Sequence, residues 1–337
     1  MKTCEGDLIE TVAGLIFDVK GFVHPPDRII AFIRYFPSKG GERKRYETTY
    51  DKVYSLSKRY AFLREKFPQY LVHDTVFDET LCEVPIDDVK KLYRPVENLQ
   101  ELRGSRELNS LECKALQLTK LLKEKAGVPW ESIGISGSIM VGLHTAYSDI
   151  DPIVYGSQNC RKVYSALKGM LKSGHGLVKP CTRDDLPALF DFRSKDSAAD
   201  FESFVRTESR KVMQGKFMGK DYFMRFVKDW NELDEKYGDI QYRNVGVAKV
   251  KAAIADDSEA IFTPCVYKID NTQILEGPKV GQIEEIVSFR GRFCEQARIG
   301  EIVIALGKVE RVVDNRCSRE HFRLLIGNSP SDSMILA

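Results

Sequence analysis

The sequence predicts an α+β protein: a mixed sheet with helices, flanked by a β-rich N-terminal region and a small C-terminal β-barrel or sandwich. Three observations lead there. The first hundred residues carry short β-branched and aromatic runs, and the middle third alternates strand-like runs with helical stripes. The last hundred residues are again strand-like, cut by frequent glycines. Units are expected at 1–98, 99–236 and 237–337.

In order, strands are expected at Leu8 to Val12, Leu15 to Val19 and Ile29 to Phe36. His24-Pro25-Pro26-Asp27 reads as a turn and Ser38-Lys39-Gly40-Gly41 as a loop. A helix from about Asp51 would bury Val53, Leu56, Tyr60, Leu63 and Phe67. The segment around Pro85 and Pro95 reads as an irregular connector. A long helix is expected from about Ser105 to Lys125, with Leu108, Leu111, Ala115, Leu118 and Leu122 on one face and Gly127 as its stop. Short strands at Ile133 to Ser136 and Ile150 to Tyr155 follow. The next helix opens at Ser157 or Asn159 and ends at Gly174. Lys216 to Val227 is strand-like with a turn at Gly219-Lys220, and Asp229 to Tyr237 reads as a polar helical linker. Five strands complete the chain: Val245 to Ile254, Ile261 to Ile269, Ile283 to Phe289, Glu301 to Val313 and Phe322 to Ile326.

Composition narrows the function only a little. In 337 residues, 43% are hydrophobic and 30% charged, and the formal charge is +2, which argues against bulk polyanion binding but leaves local basic patches open. Eight widely spaced cysteines include no C-x-x-C pair, so a zinc ribbon is not expected. The acidic start MKTCEGDLIETV does not fit a signal peptide, and no apolar run approaches the ~20 residues that span a bilayer. A cytoplasmic protein with no membrane partner is the expectation.

The informative stretch is Gly134 to Gly156. It holds Gly137-Ser138, nine intervening residues, then Ser148-Asp149-Ile150-Asp151. A strand ending in Gly-Ser turns tightly, and the missing Cβ lets a phosphate come close. The Ser138 hydroxyl and the N–H groups beginning near Ile139 would face that phosphate. Asp149 and Asp151 stand two apart in a strand, so both carboxylates project from one face. Side by side they repel unless a divalent cation sits between them. Mg²⁺ commonly takes one or two carboxylates and completes its shell with phosphates and waters.

Gly137-Ser138…Ser148-Asp149-x-Asp151 resembles the signature of the nucleotidyltransferase superfamily related to DNA polymerase beta. Gly142 also sits where small members often have glycine. The flanks GLIFDVKGFVHPPDRIIAF, KVYSLSKRYAFLREKFPQYLVHDTVFDETLCEVP and AIFTPCVYKI resemble a group of uncharacterised archaeal predicted nucleotidyltransferases. Pro152 departs from the pattern, which usually has an apolar strand residue there. It implies an edge strand or a local bulge.

The resemblance implies an enzyme that moves a nucleoside monophosphate from an NTP such as ATP to an acceptor hydroxyl, releasing pyrophosphate. Asp149 and Asp151 would hold Mg²⁺, with two ions possible, and Gly137, Ser138, Ser148 and Arg225 would meet the nucleotide. A third carboxylate is implied on a neighbouring strand. Asp221 and Asp191 are the candidates; Asp221 is preferred because it precedes the clearer strand, although Gly219-Lys220-Asp221 also reads as a turn. The acceptor stays open among RNA, protein and small molecule. An inactive nucleotide- or RNA-binding module on the same fold is the alternative.

Other features carry two readings each. His144 touches the substrate or bonds locally. Arg206, Arg210, Lys211, Lys216 and Lys220 clamp a polyanion or form a solvated face. Tyr54, Tyr60, Phe62 and Phe67, interleaved with Lys58, Arg59, Arg64 and Lys66, stack bases or line an amphipathic core helix.

Overall fold

Residues 1–174, 176–194 and 200–337 are described by the structure, a computed structural model. They form a mixed α and β protein with several sheets. In the N-terminal region, eight strands make one sheet: β1 (Leu8–Thr11), β2 (Ile16–Val19), β3 (Arg28–Pro37), β4 (Arg43–Arg45), β5 (Thr48–Lys52), β6 (Leu71–Asp74), β7 (Glu79–Pro85) and β8 (Val89–Tyr93). Its main path is β4-β5-β3-β2-β1-β8, and β7 branches from β3 to carry β6. Ile9, Phe17, Ile29, Ile33, Leu63 and Val84 fill its core.

Helix α1 (Leu56–Lys66) starts at Ser55, whose hydroxyl accepts from the Lys58 N–H, and not at Asp51. Asp51 lies in β5 opposite Phe36, because a charged hairpin that sequence pattern alone does not mark pairs there with β3. The stretch read as a connector holds β6, β7, β8 and helix α2 (Pro95–Gly104), which runs through position 98. Those strands are half-exposed and carry charges, so their identity comes from pairing with β1 and β3.

Helix α3 (Ser110–Ala126) begins later than the leucine stripe suggests. Asn109 accepts from the N–H groups of Leu111 and Glu112, the Glu112 side chain returns to the Asn109 N–H, and Gly127 closes the helix in the left-handed conformation. The middle region continues with β9 (Ile133–Ile135), the four-residue helix α4 (Gly137–Met140), β10 (Pro152–Tyr155), α5 (Ser157–Ser173), β11 (Val178–Lys179), α6 (Leu186–Arg193), α7 (Phe201–Glu208), β12 (Gln214–Phe217), β13 (Lys220–Phe223) and β14 (Arg225–Val227). Two three-stranded sheets result, β14-β10-β9 and β11-β12-β13, joined by a parallel bridge from Ile150 to Tyr222. The turn between β12 and β13 is Met218-Gly219, both at positive φ. The expected helical linker shrinks to one 3-10 turn at Trp230–Glu232.

The last region holds β15 (Ile240–Asp256), β16 (Cys265–Glu276), β17 (Ile283–Ser288), β18 (Ile302–Asp314), β19 (Arg319–Leu325) and β20 (Ser333–Leu336). Pairing runs β15-β16-β17-β19-β18 and returns from β18 to β15, with β20 added on β18. One apolar core extends from α3, β9 and α5 into this sheet, through Phe226, Phe262 and Tyr267. Among the described residues no helix is long and apolar enough to cross a membrane.

Glu295 ties the two regions together. Its buried carboxylate accepts from the Val212 N–H (2.9 Å), the Met213 N–H (2.8 Å) and the Tyr164 hydroxyl (2.8 Å). Replacing it with Ala strands three donors, two of them buried backbone N–H groups, and should cost on the order of 3 kcal/mol. Glu295→Gln keeps one acceptor oxygen and should cost less. Urea unfolding monitored by circular dichroism measures both, and equal stability of Ala variant and wild type would remove Glu295 from this role.

Candidate functional site

Ile150 decides where the two acids go. It is fully buried, and its backbone is fixed on both sides: Ile150 N–H donates to Asp221 O (2.9 Å) and Phe223 N–H donates to Ile150 O (3.0 Å). Strand alternation then turns Asp149 and Asp151 together to the opposite side. Asp151 O accepts from Ser136 N–H (2.9 Å), which brings the Gly137-Ser138 turn beside it. Gly137 sits at φ +66°, and a Cβ there would lie 1.8 Å from Asp151 Oδ2. Only glycine fits. Next to it the Ser138 hydroxyl is buried and has no hydrogen-bond partner among the described residues.

Pro152 does not mark an edge. β10 is the central strand of its sheet, between β9 and β14. The neighbouring chain breaks beside it, between β13 and β14, where Met224 N–H turns away to Met213 O (2.7 Å). The missing proline N–H thus coincides with a local interruption of the ladder.

Burial first, and the charge of Asp149 second, push Asp151 up to about 7. Lys52, Arg225 and Arg34 pull the other way. Two of these cations come from the N-terminal sheet, Arg34 on β3 and Lys52 on β5. Arg34, Asp18, Gly137, Asp151, Phe223 and Arg225 line one small cleft. Burial and the Arg34 charge lower Lys52 to about 8, against the attraction of Asp149 and Asp151. Sequence reasoning missed Asp18, Arg34 and Lys52. The only sign was a charge interrupting each apolar run, with nothing to say what it faces.

The other expected residues are placed as follows. Asp221 sits one residue before Tyr222, as Asp149 sits before Ile150, so the two acids are in register on adjoining parallel segments. Its side chain is 72% exposed and 3.8 Å from the Lys216 ammonium. Asp191 lies exposed on helix α6 and not on a strand; Pro187 in the first turn supports the helix there. Ser148 closes its own loop, its hydroxyl oxygen accepting from Thr145 N–H (2.9 Å) and Arg43 Nη1 (3.3 Å). Arg225 lines the cleft, but its guanidinium is engaged by Glu5 (3.0 Å) and Asp18 (3.5 Å).

His144 bonds locally, Nε2 lying 2.7 Å from Asn109 Nδ2. The basic run is dispersed among partners: Arg210 with Glu301, Lys211 with Glu208, Lys216 with Asp185 and Lys220 with the Ala146 carbonyl. Phe62 and Phe67 pack against the N-terminal core, and Tyr60 donates to Thr80 O.

Among the described residues no group of three or more His, Cys, Asp or Glu could hold a metal. Asp151 lines the cleft, exposed Asp149 stands on the same strand face, and beside them lie an unpartnered hydroxyl and a turn that only glycine fits. That set suits Mg²⁺ completed by phosphate oxygens and water, and does not suit an all-protein cage.

A carboxyl raised on folding contributes stability that is present below its ordinary value of 3.8 and is lost as pH rises through about 7. In metal-free buffer, Asp151→Asn should therefore melt higher than wild type at pH 8, by roughly a few degrees. The gap should shrink towards pH 4.5. Thermal melts at both pH values test this, and a gap independent of pH would remove the proposed repulsion.

The chain is 34% identical over 340 residues to an uncharacterised protein of Methanocaldococcus jannaschii, MJ1086, covering 98% of this chain and 96% of that protein. No protein-family model matches the chain, and no solved structure matches it. With near-complete coverage at that identity, the chain belongs to the same family as archaeal MJ1086.

Proposed function

We propose that this protein is a metal-dependent nucleotidyltransferase, moving a nucleoside monophosphate from an NTP to an acceptor hydroxyl with release of pyrophosphate. The observation that carries the reading is the contact of Gly137 with the Asp151 carboxylate. It joins the two halves of the motif in space and leaves the Ser138 hydroxyl unpartnered beside them. Asp149 and Asp151 are the residues that would hold Mg²⁺, which supplies charge neutralisation on the phosphates and a lowered pKa for the attacking hydroxyl. Gly137 gives up its side-chain space to the Asp151 carboxylate, and the unpartnered Ser138 Oγ–H would donate to a phosphate oxygen. Asp221, in register with Asp149, is the carboxylate that would accept the hydroxyl proton.

A nucleotidyltransferase-like fold for the middle region belongs to this reading. So does a small β-barrel at the C-terminus, supported by the return of the strand pairing from β18 to β15. The acceptor is an RNA, a protein or a small molecule, in the cytoplasm. One observation favours a second reading, a nucleotide- or RNA-binding module without turnover. Asp221 stands exposed, and no three-carboxylate group is present among the described residues.

The test is incubation with each labelled NTP, Mg²⁺, total RNA and cell extract, for wild type and for Asp149→Asn combined with Asp151→Asn. Wild type should label one fraction, and the double variant should lose labelling by at least about 100-fold while staying folded. Undiminished labelling would move the chemistry away from these acids. Absent labelling together with tight Mg²⁺-dependent NTP binding would favour the second reading.

A further inference from the structure

We infer that the N-terminal sheet seats the polyphosphate of a metal-bound nucleoside triphosphate, through Arg34 on β3 and Lys52 on β5. This rests on the reading of Asp149 and Asp151 as the metal–nucleotide site.

The geometry begins with an irregularity. In the β2–β3 ladder Ile16 pairs with Tyr35 and Phe17 pairs with Ile33, so Arg34 is one extra residue in β3. A bulge of this kind turns a side chain out of strict alternation. As a result Arg34 and Tyr35, neighbours in sequence, both line the cleft that holds Asp151 and Gly137. Lys52 pairs with Tyr35 across the β3–β5 ladder. Its ammonium lies 5.8 Å from the Tyr35 ring centre and 4.5 Å from that of Tyr54.

Neither cation is paired. Among the described residues Arg34 and Lys52 make no side-chain hydrogen bond and no ion pair, and Arg43 beside them bonds a carbonyl and a hydroxyl but no carboxylate. Other inward-facing cations are matched: Lys20 with Glu5 and Asp18, Arg45 with Glu10, Lys211 with Glu208, Arg323 with Glu310. Arg34 feels the charges of Asp18 and Asp151 across the cleft but bonds neither, and Lys52 has no bonded carboxylate; desolvated charges held this way gain from an anion arriving between them. Asp151 in the cleft and Asp149 next to it repel unless a cation joins them. A Mg²⁺–polyphosphate meets both requirements at once. Its metal satisfies Asp149 and Asp151, and its remaining oxygens take the planar Arg34 fork and the Lys52 point charge. In the basic run Arg210, Lys211, Lys216 and Lys220 are occupied by their own carboxylate and carbonyl partners, and exposed Arg206 alone offers no comparable seat.

The experiment is titration calorimetry of the full chain with Mg²⁺ and inorganic tripolyphosphate, which needs no knowledge of the base. A single-stranded oligonucleotide serves as the second probe. Variants are Arg34→Met, Lys52→Met, their combination, and Lys44→Met as an exposed charge control. Each single variant should weaken tripolyphosphate binding at least tenfold and the pair at least a hundredfold, with Lys44→Met near wild type. The ligand-free melting temperature of Lys52→Met should be equal to wild type or higher, since a desolvated charge beside Arg34 is removed. Arg34→Met also gives up the attraction of Asp18 and should melt somewhat lower. Loss of binding together with a lowered melting temperature in Lys52→Met would assign that residue a structural role and overturn the inference. So would variants that bind tripolyphosphate like wild type, a wild type that does not bind it, or loss confined to the oligonucleotide. The two readings separate cleanly. Nucleotidyl transfer by wild type with intact tripolyphosphate binding in the variants sinks the seat alone. Selective loss of tripolyphosphate binding, in a protein that labels no acceptor, supports the seat and sinks the transfer reading.

Discussion

Gly137 holds its backbone at φ +66° with the Asp151 carboxylate lying where a side chain would begin. Two segments separated by more than a dozen residues are thereby pressed together at one point. The contact is possible only because Ser136 N–H and Asp151 O extend the β9–β10 ladder by one further bond. From that point the rest of the site follows. Asp149 falls on the same side as Asp151, Ser138 is buried beside them, and Ile150 is driven into the core on the far side. Any shift of β9 against β10 would separate the turn from the acids, so the short sheet acts as the ruler for the site.

That ruler is held from outside the middle region. Ser136 Oγ donates to the Gly6 carbonyl (2.7 Å), and Met140, Val141 and Leu143 pack with Leu8, Ile16, Tyr35 and Tyr50 of the N-terminal sheet. Arg225 crosses the same seam to Glu5 and Asp18, with Lys20 completing the network. Burial opposes the charge of Asp18, yet Lys20, Arg225 and Arg34 hold its carboxylate well below the usual range. A buried network of this sort adds little net stability over an apolar seam, because desolvation offsets most of the attraction. Its value lies in orientation. Charged partners with fixed geometry admit one docking of the N-terminal sheet on the middle region, and that docking makes β3 and β5 a wall of the cleft.

The far side is held differently. There the core is continuous and apolar from Val163 and Leu167 through Phe226 and Phe262 into Tyr267, and Thr263 N–H donates to Phe226 O (2.8 Å). A seam of that kind is non-directional, so register comes from the few polar groups within it, Glu295 foremost. The molecule thus pairs an apolar, stability-giving contact on one flank of β14 with an ionic, orienting contact on the other.

Local chemistry in the chain was enough to determine the helix ends at Gly127 and Gly174, most strands of the last hundred residues, and the Gly-Ser and paired-acid stretch, but not the helix start at Asn109, which the leucine stripe places near Ser105. Each legible feature depends on neighbours within a few positions: a glycine free to take positive φ, an apolar period. The charged hairpin at Arg43 to Lys52 and the half-exposed strands from Leu71 to Tyr93 were not legible, since their hydrogen-bond partners lie elsewhere in the chain. Asp191 looked like a strand residue for the same reason, until the helix around it formed. Arg34, Lys52 and Asp18 show the limit most clearly. In sequence each is one charge in or beside an apolar run. Only the bulge in β3 and the packing of that sheet against Met140 and Val141 bring them to Asp151, because electrostatic neighbours are chosen by distance in space.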